Sequence, residues 1–436
     1  MGVWEEVKLK TLISDMGDGG TPTTKEPSNF GGDIAWAVVD DVVSKIKSTK
    51  ESLTEKGYKK CSAKKWPIGS IILTTGATIG KVGIAEIELC TKQGITGLIA
   101  NKFANPSFLK FWFEYNTNQL LRFAQGTTFK EIRPRTLGNL RVKIPVPYTN
   151  ESFAEQTAIA AILSKVDEVL EATKTSIKAA EKLKKALMQN MLTGKLKPDG
   201  TWRSEQEFQE TKIGLLPKSW NVKTVKDIST QVTDGEHTTP ERSESGYHLL
   251  SARNVKNSYL DLSNVDYVQE KELKRIQKRC NPEHGDILIS CSGTIGNVCI
   301  VPMGTNAGMV RSAALVKLNK DKIEPEYAEL VLQSFNLQNQ MKVSVASSVQ
   351  GNIFQGAIKK LRIPYPTSKD ERNLITGKIN VFKNLITEKQ TKIQTLQCLK
   401  KALMQNLLTG KVRLPDQFIA QFENELEVTN TITTTK

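Results

Sequence analysis

Two long stretches of this chain carry apolar or small residues at gaps of three and four. The first runs Ile159, Ile162, Val166, Val169, Thr173, Ile177, Ala180, Leu183, Leu187, Met191, and the second Ile375, Ile379, Phe382, Leu385, Lys389, Ile393, Leu396, Leu399, Leu403, Leu407. That period belongs to one face of a helix. No proline falls inside either stretch, and Thr193-Gly194 and Thr409-Gly410 close them as a helix stop should. The pattern predicts two helices of about 40 residues, roughly 60 Å long. Their apolar stripes are narrow, with Lys, Glu and Gln elsewhere, so the two are expected to pack antiparallel as a coiled coil. The contact stripe would be Ile162, Val166, Val169, Ile177 and Leu187 on the first helix, and Phe382, Leu385, Ile393, Leu396 and Leu403 on the second.

Elsewhere the period shortens. Runs such as Ser70–Thr74, Leu140–Val146 and Asp286–Ser290 are β-rich and bounded by Gly, Asn and Pro. The expected organisation is α+β: globular parts at 1–149 and 213–367, helical regions at 150–196 and 368–412, a polar linker at 197–212 and a flexible tail at 413–436. Both globular parts end in Ile-Pro-x-Pro, at Ile144–Pro147 and Ile363–Pro366, which stiffens the junction and delays the helix.

The halves are copies. Lys-Lys-Ala-Leu-Met-Gln-Asn-x-Leu-Thr-Gly-Lys occurs at Lys184–Lys195 and again at Lys400–Lys411, 216 positions later. The same shift pairs Trp4 with Trp220, Asp18-Gly19 with Asp234-Gly235, Gly69 with Gly285, Thr78-Ile79-Gly80 with Thr294-Ile295-Gly296, and Glu155 with Glu371. A constant register over so many anchors predicts one fold written twice, two pseudo-symmetric domains suited to a two-fold partner such as duplex DNA.

Charge sharpens that picture. Lys plus Arg number 61 against 46 for Asp plus Glu, a formal net charge of +15, which attracts polyanions. No apolar run reaches the ~20 residues of a spanning helix and the N-terminus lacks a signal-peptide core, so a cytoplasmic protein without membrane contact is expected. The six cysteines, Cys61, Cys90, Cys280, Cys291, Cys299 and Cys398, never form CxxC and are expected to stay reduced.

Strings that resemble catalytic motifs are incomplete. Gly76-Ala-Thr-Ile-Gly80-Lys81 is one residue short of a phosphate loop, Val82 replaces the Ser/Thr that would hold Mg²⁺, and the second copy has Asn297 for the lysine. Asn105-Pro-Ser-Phe108 is similar to a base-gripping methyltransferase loop but lacks its second proline. Cys280, His284, Cys291 and Cys299 have no ordinary zinc spacing. His237, His248 and His284 all fall in the second copy, so the repeats share no acid–base centre. Glu210-Thr-Lys212 echoes a nuclease signature but sits in polar sequence. No catalytic residue, cofactor or metal ligand is expected on this chain.

What remains is recognition chemistry. Lys56, Lys59, Lys60, Lys64 and Lys65 are answered by Lys271, Lys274, Arg275, Lys278 and Arg279, two clusters able to contact phosphates or simply to face solvent. The loops Gly126–Arg135, with Thr127, Thr128, Lys130, Arg133 and Arg135, and Ser347–Phe354, with Ser347, Ser348, Gln350 and Asn352, hold side chains able to read base edges.

Taken together, these residues resemble the specificity subunit of type I restriction-modification enzymes over nearly the whole chain. The resemblance rests on Ile213–Trp220, Gly69–Gly80 and Gly285–Gly296, the Ile-Pro-x-Pro exits, Ala154-Glu155-Gln156 and the two Leu-Met-Gln-Asn-x-Leu-Thr-Gly-Lys helix ends. It implies two target recognition domains, each reading half of a split DNA site, and helices that fix their spacing and bind two modification (methyltransferase) subunits. It places S-adenosylmethionine on those subunits, and ATP and Mg²⁺ on restriction (translocase and nuclease) subunits, with no catalysis by this chain. Asp370-Glu-Arg-Asn373 and Lys389 depart from the pattern in the second helix. The alternative is a coiled-coil scaffold whose basic charge is incidental.

Overall fold

The structure, a computed structural model, describes residues 4–124, 131–146, 148–346 and 351–423. The chain divides into two compact units, Met1–Thr175 with Thr391–Lys436, and Ser176–Gln390. It therefore passes between units twice, both times in the middle of a long helix: the helices are Asn150–Met191 and Lys369–Leu407.

The units share one topology. In the first, a sheet runs Ile13–Asp18, Ile95–Ala100, Ile71–Thr74, Val82–Ala85 and Lys45–Ile46. In the second, Ser229–Asp234, Ala313–Leu318, Ile287–Ser290 and Val298–Ile300 repeat the first four in the same order. A smaller sheet repeats as well, and in both copies its one parallel pairing is the same: Trp36 opposite Cys90, and His248 opposite Ala307. A two-stranded antiparallel ribbon joins the start and end of each globular part, Glu5–Lys8 with Arg141–Ile144 and Trp220–Thr224 with Arg362–Pro366. The molecule is α+β, as expected.

Each core is closed by both long helices. Ile71, Leu73, Leu98, Phe108 and Phe111 pack with Ile159 and Leu163 of the first helix and with Leu407 and Leu408 at the end of the second. In the other unit, Ile287, Ile289, Val316 and Tyr327 pack with Ile375 and Ile379 and with Met191 and Leu192. The duplicated helix-end phrase thus fills the same seat in each unit. Its glycines have no room for a side chain. Gly194 and Gly410 have φ of 72° and 67°, and a Cβ on them would press into Pro217 and, 2.7 Å away, Trp4. Positive φ and close approach together require glycine here.

Where helix meets globular part, charge is buried. Lys110, with a side chain only 3% exposed, donates to Asp167 at 2.8 Å and Glu114 at 2.9 Å, and Lys400 reaches Glu114 at 2.7 Å and Asp167 at 2.6 Å. The residue pairs run in opposite directions, Glu155 with Arg413 and Asp167 with Lys400, which makes the helix halves antiparallel within the unit. In the second unit the signs reverse: Glu329 occupies the helix position of Lys110 and meets Lys383, 216 positions after Asp167, at 3.3 Å. Lys184, the counterpart of Lys400, faces Lys383 and Glu329.

The titrations diverge accordingly. Burial raises the Asp167 carboxyl, but Lys110 and then Lys400 outweigh it and hold it below its ordinary value. Burial lowers Lys400, and Glu114 and Asp167 outweigh that and hold it high. Burial dominates for Glu329, which is raised, and for Lys184, which is lowered with help from Lys383. At the first junction the opposite charges outweigh burial, whereas at the second burial wins for both Glu329 and Lys184.

The second helix begins differently from the first, and the difference compensates locally. Gln156 accepts the Asn105 backbone N–H at 3.0 Å. Its counterpart Arg372 grips Glu324 at 2.7 and 3.2 Å and donates to the Pro366 carbonyl. The glutamates one residue earlier keep one role, Glu155 accepting from Arg413 and Glu371 from Arg203.

The segment expected to be a polar linker is structured. Phe208–Thr211 pairs with Gly214–Pro217, and Arg203 is anchored to Glu371 and to the Gly194 carbonyl at 2.6 Å. Its polarity misled the reading because a two-stranded hairpin on the surface needs few apolar positions.

Removing one member of a buried ion pair costs about 3–5 kcal/mol. Lys110→Glu or Asp167→Lys alone should therefore lower the melting temperature strongly, while the double reversal, which copies the sign of the second unit, should recover most of the loss. The pH dependence has a definite sign. A depressed Asp167 stabilises the fold above the ordinary carboxylate range, and that contribution is lost as pH falls through the folded-state value. The stability gap between Asp167→Asn and the parent, measured by calorimetry, should accordingly be full near neutrality and shrink below about pH 4.

Candidate nucleic-acid interface

The two lysine clusters begin on short helices, Glu55–Lys59 and Glu270–Gln277, and run on past them to Lys65 and Arg279. Thr54 caps the first by accepting from the Gly57 N–H. In the second, Leu273 and Ile276 turn inward and aim the basic residues at solvent.

Most of these cations already have partners. Lys56 and Lys60 share Glu26, at 3.7 and 2.7 Å. Lys64 pairs with Asp15 and lies over Trp66, and Lys65 pairs with Glu88 and lies over Tyr58. Lys274 meets Glu270 at 2.7 Å, and Arg275 meets Glu272 at 2.8 Å and Glu236 at 3.2 Å. Arg279 bridges Asp234 and His237, each at 3.1 Å. The carboxylates answer in kind: hydrogen bonding from Lys60 holds Glu26 low, and bonding from Arg275 does the same for Glu272. Lys59, Lys271 and Lys278 make no ion pair among the described residues. Exposed pairs of this kind are worth ~0–1 kcal/mol, so a phosphate can displace them, but each displacement forfeits part of the attraction.

Of the candidate reading residues, Thr127, Thr128, Lys130, Ser347, Ser348 and Gln350 lie outside the described residues. Arg133 precedes the helix Pro134–Gly138, and both it and Arg135 are exposed; Asn352 is half-buried. Both loops end in the same way. Ile132 and Ile353 are buried and donate their backbone N–H to Thr75 and Cys291, at 2.9 and 3.1 Å, beside the end of the central strand of each unit. Ile132 and Ile353 therefore occupy equivalent places in the two copies.

The same strand ends in the glycine turn that only partly matches a phosphate loop. Gly80 and Gly296 have φ of 96° and 89°, and their N–H groups bond back to Thr74 and Ser290. A Cβ on Gly80 would stand 2.5 Å from Thr117 and one on Gly296 2.7 Å from Gln338. This turn is packed against a helix and offers those amides to no ligand.

Asn105 also has a structural use. It starts the helix Pro106–Tyr115 by accepting from the N–H of Ser107 and Phe108, and donates to Thr157 of the long helix at 3.0 Å. Glu210-Thr-Lys212 overlaps the surface hairpin. Burial pushes the thiols of Cys90, Cys280, Cys291 and Cys299 up to about 12, and all six cysteines are free. No helix among the described residues is long and apolar enough to cross a membrane.

On the long helices, Ile162, Val166 and Val169 belong to the first unit with Ile393, Leu396 and Leu403, and Ile177 and Leu187 to the second with Phe382 and Leu385. Ile177 is buried and the other nine are half-buried. Ile162 and Leu403 pack on the first core and Leu187 on the second. The sequence reading missed Leu163 and Leu170, which are more deeply buried than their neighbours in the stripe. It also missed exposed cations with no ion pair at the base of each unit: Lys8, Lys10 and Arg141, and Lys226 and Arg362. The 216-residue shift from Lys10 to Lys226 was the signal that could have found them.

Comparison with known proteins agrees with this duplication. Residues 1–182 and 217–397 each match the family described as Type I restriction modification DNA specificity domain. The chain is 31% identical over 232 residues to the type I restriction enzyme MjaIX specificity subunit of Methanocaldococcus jannaschii, covering 52% of this chain and 51% of that one. It is 21% identical over 350 residues to the MjaVIII specificity subunit of the same organism, covering 79% of each. The chain thus spans about half the length of the first of these curated relatives. Among solved structures, the S subunit of a type I restriction-modification system from M. genitalium has the same fold, with a TM-score of 0.59 at 16% identity over 93% of this chain and 96% of that one. Because both matched segments follow the internal repeat and cover most of the sequence, the chain belongs to the family of type I restriction-modification DNA specificity domains, with one copy in each half.

Proposed function

We propose that this chain is the sequence-recognition subunit of a type I restriction-modification system. Each globular part reads one half of a bipartite duplex site, and the long helices carry the modification subunits. The observation that carries this reading is the coincidence of two family matches with two units that repeat the same four-strand order and the same anchor, Ile132 or Ile353, at the end of the central strand. A scaffold with incidental charge gives no reason for that repetition. Restriction subunits complete the assembly. Methylation with S-adenosylmethionine and ATP- and Mg²⁺-dependent translocation and cleavage are assigned to the partners, since the phosphate-loop and methyltransferase look-alikes of this chain are structural turns and caps.

The first test is methylome sequencing of cells carrying this chain with its partner subunits. Arg133→Ala should change preference in one half-site and Asn352→Ala in the other, by about 1–3 kcal/mol per lost base contact. A change in both half-sites from either variant would break the assignment of one half-site per unit. A companion assay concerns the isolated chain, which should turn over neither S-adenosylmethionine nor ATP.

The spacing of the half-sites gives a second test. The segment Leu192–Gly200 lies wholly within the second unit, which leaves the helix middles as the ruler. Seven-residue insertions at Thr175/Ser176 and at Gln390/Thr391 keep the apolar register and add about 10 Å of helix. They should widen the unread gap by about three base pairs (~3.4 Å each) and leave both half-sites unchanged. An unaltered gap would show that the helices do not set it.

A further inference from the structure

The two-stranded ribbon of each unit carries exposed cations with no ion pair among the described residues. In the first ribbon Lys8 stands directly opposite Arg141, both exposed. The next rung turns inward through Leu9, whose N–H bonds the Leu140 carbonyl at 2.8 Å. Lys10 then emerges beside Gly138, whose Cβ position is 3.4 Å from that of Lys10. Arg135, one helical turn before Gly138, continues the patch. None of the four makes an ion pair among the described residues.

The second unit repeats the arrangement. Arg362 is opposite Thr224, the counterpart of Lys8, on the equivalent rung. Val225 bonds the Leu361 carbonyl at 2.9 Å, and Lys226, exactly one repeat after Lys10, emerges beside the helix Gln355–Lys360. Lys360 is exposed, and Lys359 is half-buried, bonded to neutral Gln355.

Like charges directly opposite on a ribbon destabilise it, by an amount comparable to the ~0.2–1 kcal/mol a favourable pair contributes. Seven of the ten cations in the two lysine clusters, by contrast, are paired with carboxylates such as Glu26, Glu236 and Glu272. In sequence, the helices Pro134–Gly138 and Gln355–Lys360 beside these cations follow directly from Ile132 and Ile353, the ends of the candidate reading segments. We propose that these two patches, rather than the paired clusters, grip the phosphate backbone of duplex DNA beside each half-site. The assignment rests on the recognition reading above and adds where the sequence-independent part of the affinity arises.

The experiment uses the complex assembled with modification subunits and measures DNA affinity against salt by fluorescence anisotropy, on a duplex with the methylome-defined site and on a scrambled duplex. Each released phosphate contact contributes about 0.9 to the slope of log affinity against log salt. Lys10→Gln with Arg141→Gln, and likewise Lys226→Gln with Arg362→Gln, should each reduce the slope by roughly 1.8, weaken both duplexes alike and leave site preference unchanged. Lys274→Gln with Arg275→Gln, in a paired cluster, should change it less. Lys8→Glu separates binding from folding: relief of the repulsion should preserve or raise the melting temperature while DNA binding weakens. An unchanged slope in the patch variants overturns the proposal. Loss of modification subunits with an unchanged slope would instead make the patch a protein-docking surface, and also overturns it. A parent complex that binds both duplexes equally, with a slope that still falls in the patch variants, would sink the recognition reading and leave the phosphate grip standing.

Discussion

The structure depends on charge kept out of water where each globular part meets its half-helices. Lys110 is almost fully buried, and an ammonium there is tolerable only because Asp167 and Glu114 lie within hydrogen-bonding distance and Lys400 completes the alternation. Such a network has little tolerance for displacement, since a shift of one helical turn would leave a buried charge alone. It fixes which part of each helix belongs to which unit. The apolar seats of Leu407-Leu408 and Met191-Leu192 add area but little registry, because leucines accept sliding more readily than ion pairs do.

The reversed signs in the second unit extend that logic. A globular part carrying Lys110 would meet Lys383 and Lys184 if placed on the other unit's helices, and one carrying Glu329 would meet Asp167. The two copies share a topology but are not interchangeable at the junction. Exchange of a recognition domain therefore has to carry its helix partner with it, or reverse a charge.

The helices and the repeat were legible because both are long-range regularities: a period sustained over 42 and 39 residues, and anchors at one fixed shift. Sheet order was not, since short β-rich runs state no partner. Lys110 has one partner close by, Glu114 four positions on, but Asp167 is 57 positions away, and an i,i+4 pair is as common on a surface as in a core, so nothing local marked it as buried. The pairing of the basic clusters was hidden for the same reason. Lys60 is neutralised by Glu26 and Arg279 by Asp234, 34 and 45 positions earlier in sequence. Phe208–Thr211 looked like linker because a surface strand with alternating polar residues lacks the apolar run that signals a buried one.

Where the candidate reading segments rejoin the core, a buried isoleucine donates its backbone N–H to the end of the central strand, Ile132 to Thr75 and Ile353 to Cys291. A backbone bond is indifferent to side-chain identity, and the isoleucine is satisfied by the core. Exposed positions such as Arg133 therefore contribute little to folding. Substitutions there change what is presented to a groove without disturbing the turn at Gly80, the helix start at Asn105 or the junction at Lys110. Exposed positions such as Arg133 can thus vary while the turns, caps and junctions that hold each unit stay fixed.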